Sequence, residues 1–233
     1  MDEILLKGKS KVVLKGVCPK SVIIKFSDCV TAFNGDKEAV FPGKGILCAE
    51  ISGIIFSYLE KHGVKTHFIE DIDEDFVLVR RAEIIPIEVV VRNVAAGGFA
   101  KKYGVDEGGV LKNVVTEFSY KSDKLGDPLM NESQITALGL ATEAELDEMR
   151  LQAININNLL IPFFEDVGIK LVDFKLEFGR YDNQIILCDE ISPDSCRLWD
   201  IATGQPLDKD LFRRDLGDLI EGYEKVLNRL KSR

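Results

Sequence analysis

The chain contains very little histidine. His62 and His67 are the only two histidines among its 233 residues. Serine–histidine–aspartate catalysis needs a histidine base, and histidine-rich metal sites need several such ligands, so both kinds of site are disfavoured. Any chemistry is therefore expected to depend on carboxylates, lysines and arginines.

Paired cysteines are also missing. The five cysteines, Cys18, Cys29, Cys48, Cys188 and Cys196, include no CxxC pair. An odd number of cysteines without such pairs predicts neither a disulfide framework nor a zinc site. We expect them to be reduced and mostly structural.

The sequence has no excess of positive charge and no long apolar run. Its formal net charge is -9, whereas nucleic-acid binding needs a broad basic surface, so no nucleic-acid partner is expected. No stretch approaches the ~18 continuous apolar residues of a membrane span. The segment MDEILLKGKS also lacks the apolar centre of a signal peptide. We therefore expect a cytoplasmic protein that does not associate with membranes.

Two common nucleotide-binding fingerprints are absent. There is no GxGxxG motif, and the GKG at positions 43–45 lacks the spacing and the Ser/Thr of a Walker loop. Rossmann and P-loop folds are therefore disfavoured. The segment KGKSK is a different phosphate-binding candidate, because Gly8 would let backbone amides approach phosphate and Lys9 and Lys11 are expected to project the same way. A basic segment of this kind is more often solvated surface.

The first eighty residues are rich in short β-type runs. KVVLKG, SVIIKFSD, THFIED and DFVLVRR contain many Val, Ile and Phe residues between turn formers, a pattern typical of an antiparallel sheet. One helix, GILCAEISGIIFSYLEKHG, interrupts them with apolar residues at helical spacing. It is expected to pack on the sheet.

The rest of the sequence mixes strands and helices. IIPIEVVVRN predicts a strand, and Thr142 and Glu145 form a capping box that opens a helix through about Leu160, where Pro162 should kink or end it. From Asp208 onward, an apolar stripe beginning at Leu216 predicts a closing amphipathic helix.

A strand pair near the C-terminal end carries alternating charges. LVDFKLEF places Asp173, Lys175 and Glu177 on one face and apolar residues on the other, and the turn-forming GRYDN leads to QIILCDEIS. This pattern predicts an antiparallel hairpin. If Glu177 faces Asp189, all four charged residues share one face, but a register shift of one residue would send Asp189 to the apolar side.

These acids suggest a metal site. Two carboxylates ~4 Å apart repel by about 4 kcal/mol at an effective dielectric near 20, so they need a cation or a shared proton. Magnesium prefers such oxygen ligands, and Lys175 could hold a phosphoryl or carboxylate oxygen. A solvated strand face with a salt bridge is the ordinary alternative. The recurrence of acids on the returning strand favours the site.

Three arginines are candidates for anion binding. Arg92 ends an apolar strand before the glycine turn AAGG and could fork onto a phosphate, although a structural ion pair is an equal alternative. Arg197 follows the acidic hairpin in SPDSCRLWD, after Asp194. Arg213 lies near the predicted start of the last helix, where a cation is unfavourable for the helix dipole and needs another partner.

The segments GKSK, IPIEVVVRNVAAGG, LVDFKLEFG and DEISPDSCRLWD together resemble the SAICAR synthetase family over essentially the whole chain. The resemblance implies an α+β, two-lobed, ATP-grasp-like fold. Residues 1–80 would form an antiparallel N-terminal β lobe that binds nucleotide, and residues 81–233 a larger α+β lobe with the substrate and metal site and C-terminal helices.

The resemblance also implies the reaction. The family is an ATP-dependent ligase of de novo purine biosynthesis, which joins carboxyaminoimidazole ribonucleotide (CAIR) to L-aspartate and gives SAICAR, ADP and phosphate through an acyl phosphate. The implied cofactors are ATP and Mg²⁺, and the implied assembly is a homo-oligomer, with a dimer favoured.

The resemblance implies roles for residues that match the family motifs. For ATP, Lys9 and Lys11 would contact the phosphates, and Val79 and Arg80 would offer backbone hydrogen bonds to adenine. Glu177 and Asp189 would bind magnesium, and Asp173 and Lys175 would line the reacting centre. Arg92 and Arg197 would hold the ribonucleotide phosphate, and Asp194 and Arg213 would be further substrate contacts. Gly98 stands where a phosphate-binding serine is common, and Asn34 where some relatives have aspartate, so Asn34 is left out of the predicted site.

Two other functions fit the same acids and lysines. A small-molecule kinase with the same two-lobed ATP site would not need aspartate for ADP release. A nucleotide-sensing protein would bind ATP without releasing phosphate.

Overall fold

The computed structural model describes residues 3–233 apart from the side chain of Asn34. The strands of this part of the chain are β1 (Ile4–Lys7), β2 (Lys11–Lys15), β3 (Ser21–Phe26), β4 (Cys29–Ala32), β5 (Lys37–Val40), β6 (Phe68–Asp73), β7 (Phe76–Arg80), β8 (Glu83–Val94), β9 (Val110–Tyr120), β10 (Leu129–Met130), β11 (Ile169–Tyr181), β12 (Gln184–Cys188) and β13 (Cys196–Asp200). The α-helices are α1 (Lys44–Lys61), α2 (Gly97–Tyr103), α3 (Glu132–Ala137), α4 (Glu143–Glu165), α5 (Asp210–Arg213) and α6 (Leu219–Lys231).

The N-terminal strands form the antiparallel sheet that the sequence predicts. Its order is β1-β2-β3-β7-β6, and every neighbouring pair is antiparallel. Helix α1 packs against β3 and β6. It buries Ile51, Ile55 and Leu59, which are spaced along one face of the helix. The predicted helix and its packing are therefore confirmed.

The second sheet has the order β10-β9-β8-β11-β12, with β13 paired to β11. Strand β11 lies near its centre, and Phe174, Leu176 and Phe178 alternate as predicted and are buried in the main core. Val172 does not share their face as predicted, because β11 has a register shift between Leu171 and Asp173, and Val172 packs in a separate cluster with Val94 and Ala96. Helix α4 packs on β8 and β11 and covers the apolar side of the sheet. The opposite face of β11 is thereby left for its charged residues.

The C-terminal helix connects the two halves of the chain, because α6 packs against α1. The change from the first sheet to the second occurs between Arg80 and Glu83. The predicted lobe boundary at residue 80 coincides with this change, and the boundary itself stays a prediction. None of the helices formed by residues 3–233 is long and apolar enough to cross a membrane.

Two predictions about helices need correction, and one helix was not predicted. Helix α4 begins at the predicted capping box but continues through Pro162 to Glu165, where buried Phe163 and Phe164 hold its last turn. Helix α2, after the AAGG turn, was not predicted because its seven residues are too short for a clear periodicity.

The predicted closing helix is in fact two helices. Helix α5 ends at Arg213, so this residue does not open the last helix, and Leu216 lies between the helices with 45% of its surface exposed. Positive φ angles at Asp215 and Gly217 interrupt the helical backbone. Helix α6 then starts at Leu219, and the carboxylate of its N-cap residue, Asp218, accepts hydrogen bonds from the amides of Ile220 and Glu221.

Candidate active site

A cluster of lysines and carboxylates lies where the two sheets meet. The Lys175 ammonium is 2.9 Å from Glu88 Oε1 and 3.5 Å from Asp189 Oδ2, and it also contacts Glu177. Lys121 contacts Glu177, and Lys11 contacts Asp189 and lies 2.7 Å from Glu190. We refer to Lys11, Glu88, Lys121, Lys175, Glu177, Asp189 and Glu190 as the lysine–carboxylate cluster.

The hairpin that carries two of these acids is confirmed, but its predicted register is wrong. Glu177 pairs with Cys188 and not with Asp189. Asp189 lies one residue beyond the end of β12 and has a φ of 62°, which takes it out of strand geometry. Its carboxylate therefore reaches the side of the sheet that holds Lys175 and Glu177, although strict alternation would send it to the other side.

The cluster is buried and charged. The Glu177 side chain is 3% exposed and that of Asp189 is 19% exposed. Burial alone would raise the pKa of Asp189, but Lys11, Lys175 and Lys121 more than offset it and hold that pKa well below its usual range. Burial would likewise lower the pKa of Lys175, and Glu177, Asp189 and Glu88 instead raise it. Asp189 and Lys175 therefore stay ionised at neutral pH.

The donor atoms of this cluster suit a hard divalent cation. Glu177 and Asp189 offer only carboxylate oxygens, the ligands that magnesium prefers. Cys48, Glu190 and Asp194 also place ligand atoms within 4.8 Å of one another. That group is a poorer match for magnesium, because it includes a buried thiol and the Lys44 ammonium already lies 2.8 Å from Asp194.

A second cluster contains the three predicted phosphate or substrate arginines. Arg92 lies 2.8 Å from Asp173, and Arg197 lies 2.9 Å from the same carboxylate. Arg197 and Arg213 both pair with Asp210, at 2.9 Å and 2.7 Å. Arg92, Asp173, Arg197, Asp210 and Arg213 form what we call the arginine cluster.

Strand pairing builds the arginine cluster. Asp173 lies directly opposite Arg92 on one neighbouring strand and opposite Arg197 on the other. Burial would lower the pKa of Arg197, but Asp173 and Asp210 raise it. Asp173 and Lys175 were predicted together at the reacting centre. The structure places them on the same face of β11, with Asp173 bound to arginines and Lys175 bound to acids.

The glycine turn after β8 fits closely around Arg197. A Cβ atom added at Gly97 would lie 2.4 Å from Arg197 Nη2, and the φ of Gly97 is +52°. Only glycine fits without displacing the guanidinium. A Cβ atom at Gly98 would meet nothing within 4 Å, so the structure has open space for a side chain at this position.

Asp194 lies apart from the arginine cluster. Its carboxylate is 2.8 Å from Lys44 Nζ and accepts a hydrogen bond of 2.7 Å from the Tyr223 hydroxyl. Asp194 thus ties α1 to α6 in the interior. Burial would raise its pKa, but Lys44 and Lys209 lower it.

The two N-terminal lysines of the predicted phosphate motif diverge. Lys9 precedes β2 and pairs at 2.8 Å with the exposed Asp123, whereas Lys11 is the first residue of β2 and joins the buried acids. The two lysines were expected on one strand, but the regular strand starts only at Lys11, so Lys9 lies outside it.

The adenine prediction at Val79 and Arg80 also needs correction in one respect. Val79 is paired on both sides, with Val22 and with Phe68. The Arg80 amide donates to the His67 carbonyl at 2.6 Å. This amide is therefore already used inside the protein and is not free to bond adenine.

Several members of the site were not predicted. Glu88 lies opposite Glu177 on β8, and Lys121 follows β9, so only the pairing of distant strands brings them in. Glu190 directly follows Asp189 in the DEIS segment, so the sequence does show a second acid next to the predicted metal ligand. Lys209 lies near Asp194, and burial lowers the pKa of Lys209.

A small antiparallel sheet, a mixed α+β half, and adjoining clusters of ionised lysines, acids and arginines are features of enzymes that handle phosphorylated substrates. The chain belongs to the SAICAR synthetase family, whose family model matches residues 4–230. The predicted family and the α+β fold class are confirmed.

Individual relatives are similar over their full length. Phosphoribosylaminoimidazole-succinocarboxamide synthase of Finegoldia magna is 53% identical over 230 residues, which cover 98% of this chain and 99% of the relative. The crystal structure of the synthase of the same name from Ehrlichia chaffeensis matches with a TM-score of 0.96 at 45% identity and covers 98% of both chains. A SAICAR synthetase in complex with ADP matches with a TM-score of 0.95 at 43% identity, over 98% of this chain and 97% of that one. These comparisons support the ligase and give no support to the kinase alternative.

Proposed function

We propose that this chain uses ATP to join CAIR to L-aspartate, giving SAICAR, ADP and phosphate in purine biosynthesis. The observation that carries the proposal is the placement of two charge clusters on one face of β11. Asp173 belongs to the arginine cluster, and Lys175 and Glu177, two and four residues further on, belong to the lysine–carboxylate cluster. A substrate with a phosphate at one end and a reacting carboxylate at the other would match this arrangement.

The arginine cluster would hold the ribonucleotide phosphate. Arg92 and Arg197 are already oriented by Asp173, so little side-chain freedom is lost when a phosphate binds. Arg213 would add a third guanidinium from α5. Asp194 remains a proposed substrate contact. It differs from the three arginines because its carboxylate is buried and paired with the Lys44 ammonium.

The lysine–carboxylate cluster would act on the ATP phosphates. Glu177 and Asp189 would hold Mg²⁺, which neutralises charge on the transferred phosphoryl group. Lys11 and Lys175 would contribute positive charge at the same place, and Lys9 would approach from the more exposed side. Val79 and the Arg80 carbonyl remain the proposed neighbours of adenine.

This chemistry needs activation of a carboxylate. A carboxylate is a poor electrophile, and phosphorylation by ATP gives an acyl phosphate with a good leaving group, which the aspartate amine then attacks. The protein contributes positioning and electrostatic stabilisation. The buried thiols of Cys48, Cys188 and Cys196 all have raised pKa values because of burial, so they are not suited to act as nucleophiles.

An assay of ADP and phosphate release with each substrate left out in turn tests the proposal. We expect release only when ATP, CAIR and aspartate are all present. Release that does not depend on aspartate would indicate a kinase. Measurable ATP binding without phosphate release would indicate a nucleotide sensor.

We also propose that the protein is cytoplasmic and forms a homo-oligomer, with a dimer favoured. Ile4 and Leu6 on the edge strand β1 are 62% and 65% exposed, and burying them between two copies would be favourable. Light scattering of the purified chain tests this, and a monomer at micromolar concentration would contradict it.

A further inference from the structure

Ser192 lies in a buried chain of hydrogen bonds next to the lysine–carboxylate cluster. The Asp194 amide donates to Ser192 Oγ at 3.1 Å, and the Ser192 hydroxyl donates to Glu190 Oε2. An amide N–H can only donate, so it occupies a lone pair of the hydroxyl oxygen and leaves the hydroxyl hydrogen for the carboxylate. Ser192 is 1% exposed and Glu190 is 5% exposed, so little water can replace either bond. The hydroxyl hydrogen is therefore directed at Glu190.

Glu190 uses its other oxygen to bind Lys11. Glu190 Oε1 lies 2.7 Å from the Lys11 ammonium. Because one oxygen holds a hydroxyl and the other an ammonium, the carboxylate group cannot rotate without losing a charge-assisted bond. Removing the hydroxyl would take a donor away from a buried carboxylate oxygen, which is unfavourable. The orientation of Glu190 toward Lys11 thus depends on Ser192.

The turn that carries Ser192 is held by its backbone. The Ser192 carbonyl accepts hydrogen bonds from the amides of Ser195 at 3.0 Å and Cys196 at 2.9 Å, and the Ser192 amide donates to Ser195 Oγ at 3.1 Å. The Ser195 carbonyl accepts a hydrogen bond of 2.9 Å from the Lys175 amide, which joins the turn to β11. None of these bonds involves the Ser192 hydroxyl. Its contact with Glu190 can therefore be tested apart from the turn itself.

We propose that Ser192 is a positioning residue, which holds Glu190 and thereby keeps the Lys11 ammonium directed at the ATP phosphates. The inference rests on the proposed function, in which Lys11 contacts these phosphates. Lys11 also contacts Asp189. In the proposed function, however, Asp189 is shared with the divalent ion, so Glu190 is the acid that stays with Lys11 alone when nucleotide is bound.

The experiment measures ADP binding in the presence of Mg²⁺, by isothermal titration calorimetry, in four forms of the full chain. These are the wild type, Ser192→Ala, Lys11→Met and the double variant. We expect Ser192→Ala to weaken ADP binding about tenfold, equivalent to ~1.4 kcal/mol, and to have no further effect in the Lys11→Met background. Ser192→Thr keeps the hydroxyl and should bind ADP like the wild type. Ser195→Ala is the matched control, because it removes a hydroxyl from the same turn and leaves both partners of the Glu190 carboxylate in place.

The outcomes separate this inference from the proposed function. If Lys11→Met leaves ADP binding unchanged, the proposed contact of Lys11 with the phosphates fails. If Lys11→Met weakens binding and Ser192→Ala does not, only the positioning role fails. A loss from Ser192→Ala that is equal in both backgrounds, or equal to the loss from Ser195→Ala, would indicate a general disturbance of the turn and also overturn the inference. Should Ser192→Ala not fold, a crystal structure of the wild type with ADP tests the same point, since a Glu190 carboxylate that does not contact both Ser192 and Lys11 would overturn the inference.

Discussion

Glu177 and Asp189 both contact the ammonium of Lys175, although the residue paired with Glu177 in the hairpin is Cys188 and not Asp189. Glu177 reaches Lys175 by ordinary alternation along β11. Asp189 reaches it only because its backbone turns out of the strand. The site therefore combines one acid placed by the sheet and one placed by a turn.

Removing either acid should stop the reaction without unfolding the protein. We expect Glu177→Gln and Asp189→Asn to lower kcat by at least about a thousandfold, because each removes a negative charge that would hold the metal ion, and this ion would neutralise the transferred phosphoryl group. The fold should persist, because Lys175 keeps Glu88 and the other acid as partners. Steady-state ADP release and circular dichroism measure the two effects. Glu83→Gln is the matched control, since Glu83 is the first residue of β8 in the same sheet and its side chain is 74% exposed. Near-normal turnover in a folded variant would refute the assignment of that acid.

The shape of the Arg197 side chain should matter more than its charge. Arg197→Lys keeps a cation beside Asp173 and Asp210 but loses the planar fork that suits a phosphate. We expect the KM for CAIR to rise about tenfold or more, equivalent to ~1.4 kcal/mol or more, while the KM for ATP stays the same. Arg214→Lys, at an exposed pair with Glu107, should change neither constant. A rise in the KM for ATP alone would contradict the assignment of Arg197 to the phosphate of CAIR.

Two adjacent glycines should respond in opposite ways to an added side chain. Gly97→Ala would push a methyl group into the Arg197 guanidinium, so we expect the KM for CAIR to rise about as much as in Arg197→Lys. Gly98→Ser has open space and should leave the fold intact and the KM unchanged or lower. Substrate saturation curves for both variants provide the comparison. If Gly97→Ala binds CAIR normally, the close approach of the turn to Arg197 has no role in substrate binding.

Stability should depend on pH through Glu145, which lies far along the chain from the reacting groups. Its hydrogen bond with Arg180 lowers the pKa of Glu145 to about 2 from an ordinary value of 4.5. A carboxylate with a lowered folded-state pKa stabilises the fold above its unfolded pKa, and this contribution is lost as the pH falls from about 4.5 towards 2. Because the pair is partly solvated, we expect Glu145→Gln to cost about 1–2 kcal/mol at pH 7 and much less near pH 2.5.

Urea denaturation at the two pH values measures this difference. Glutamine can still fill its place in the capping box with Thr142, so the variant isolates the ion pair from the cap. Glu143→Gln, an exposed acid in the same turn, is the control. A loss of equal size at both pH values would contradict the ion-pair explanation.

Local patterns predict the regular elements of this protein well. The alternation in β11 from Asp173 to Phe178 and the Thr142–Glu145 capping box are properties of a few neighbouring residues, and the structure confirms both. Pro162 was misleading because the packing of Phe163 and Phe164 outweighs the lost backbone hydrogen bond.

The candidate site could be predicted only in part, because its geometry depends on contacts between distant segments. Lys121 and Glu88 arrive through the pairing of β9, β8 and β11, which no single segment encodes. The sequence left two registers of the hairpin open, and alternation could not place the Asp189 carboxylate, because the backbone of Asp189 has left strand geometry. The resemblance to the family supplied the reaction, which the pattern of charges alone left open.

In the proposed site, Glu177 and Asp189 together hold the divalent ion that accompanies ATP. A crystal structure of the chain with ADP and Mg²⁺ would show whether they do so. We expect the ion in the lysine–carboxylate cluster, with an oxygen of each of the two acids at the 2.0–2.1 Å typical of magnesium. An ion bound between Glu190 and Asp194, or one that contacts neither Glu177 nor Asp189, would contradict it.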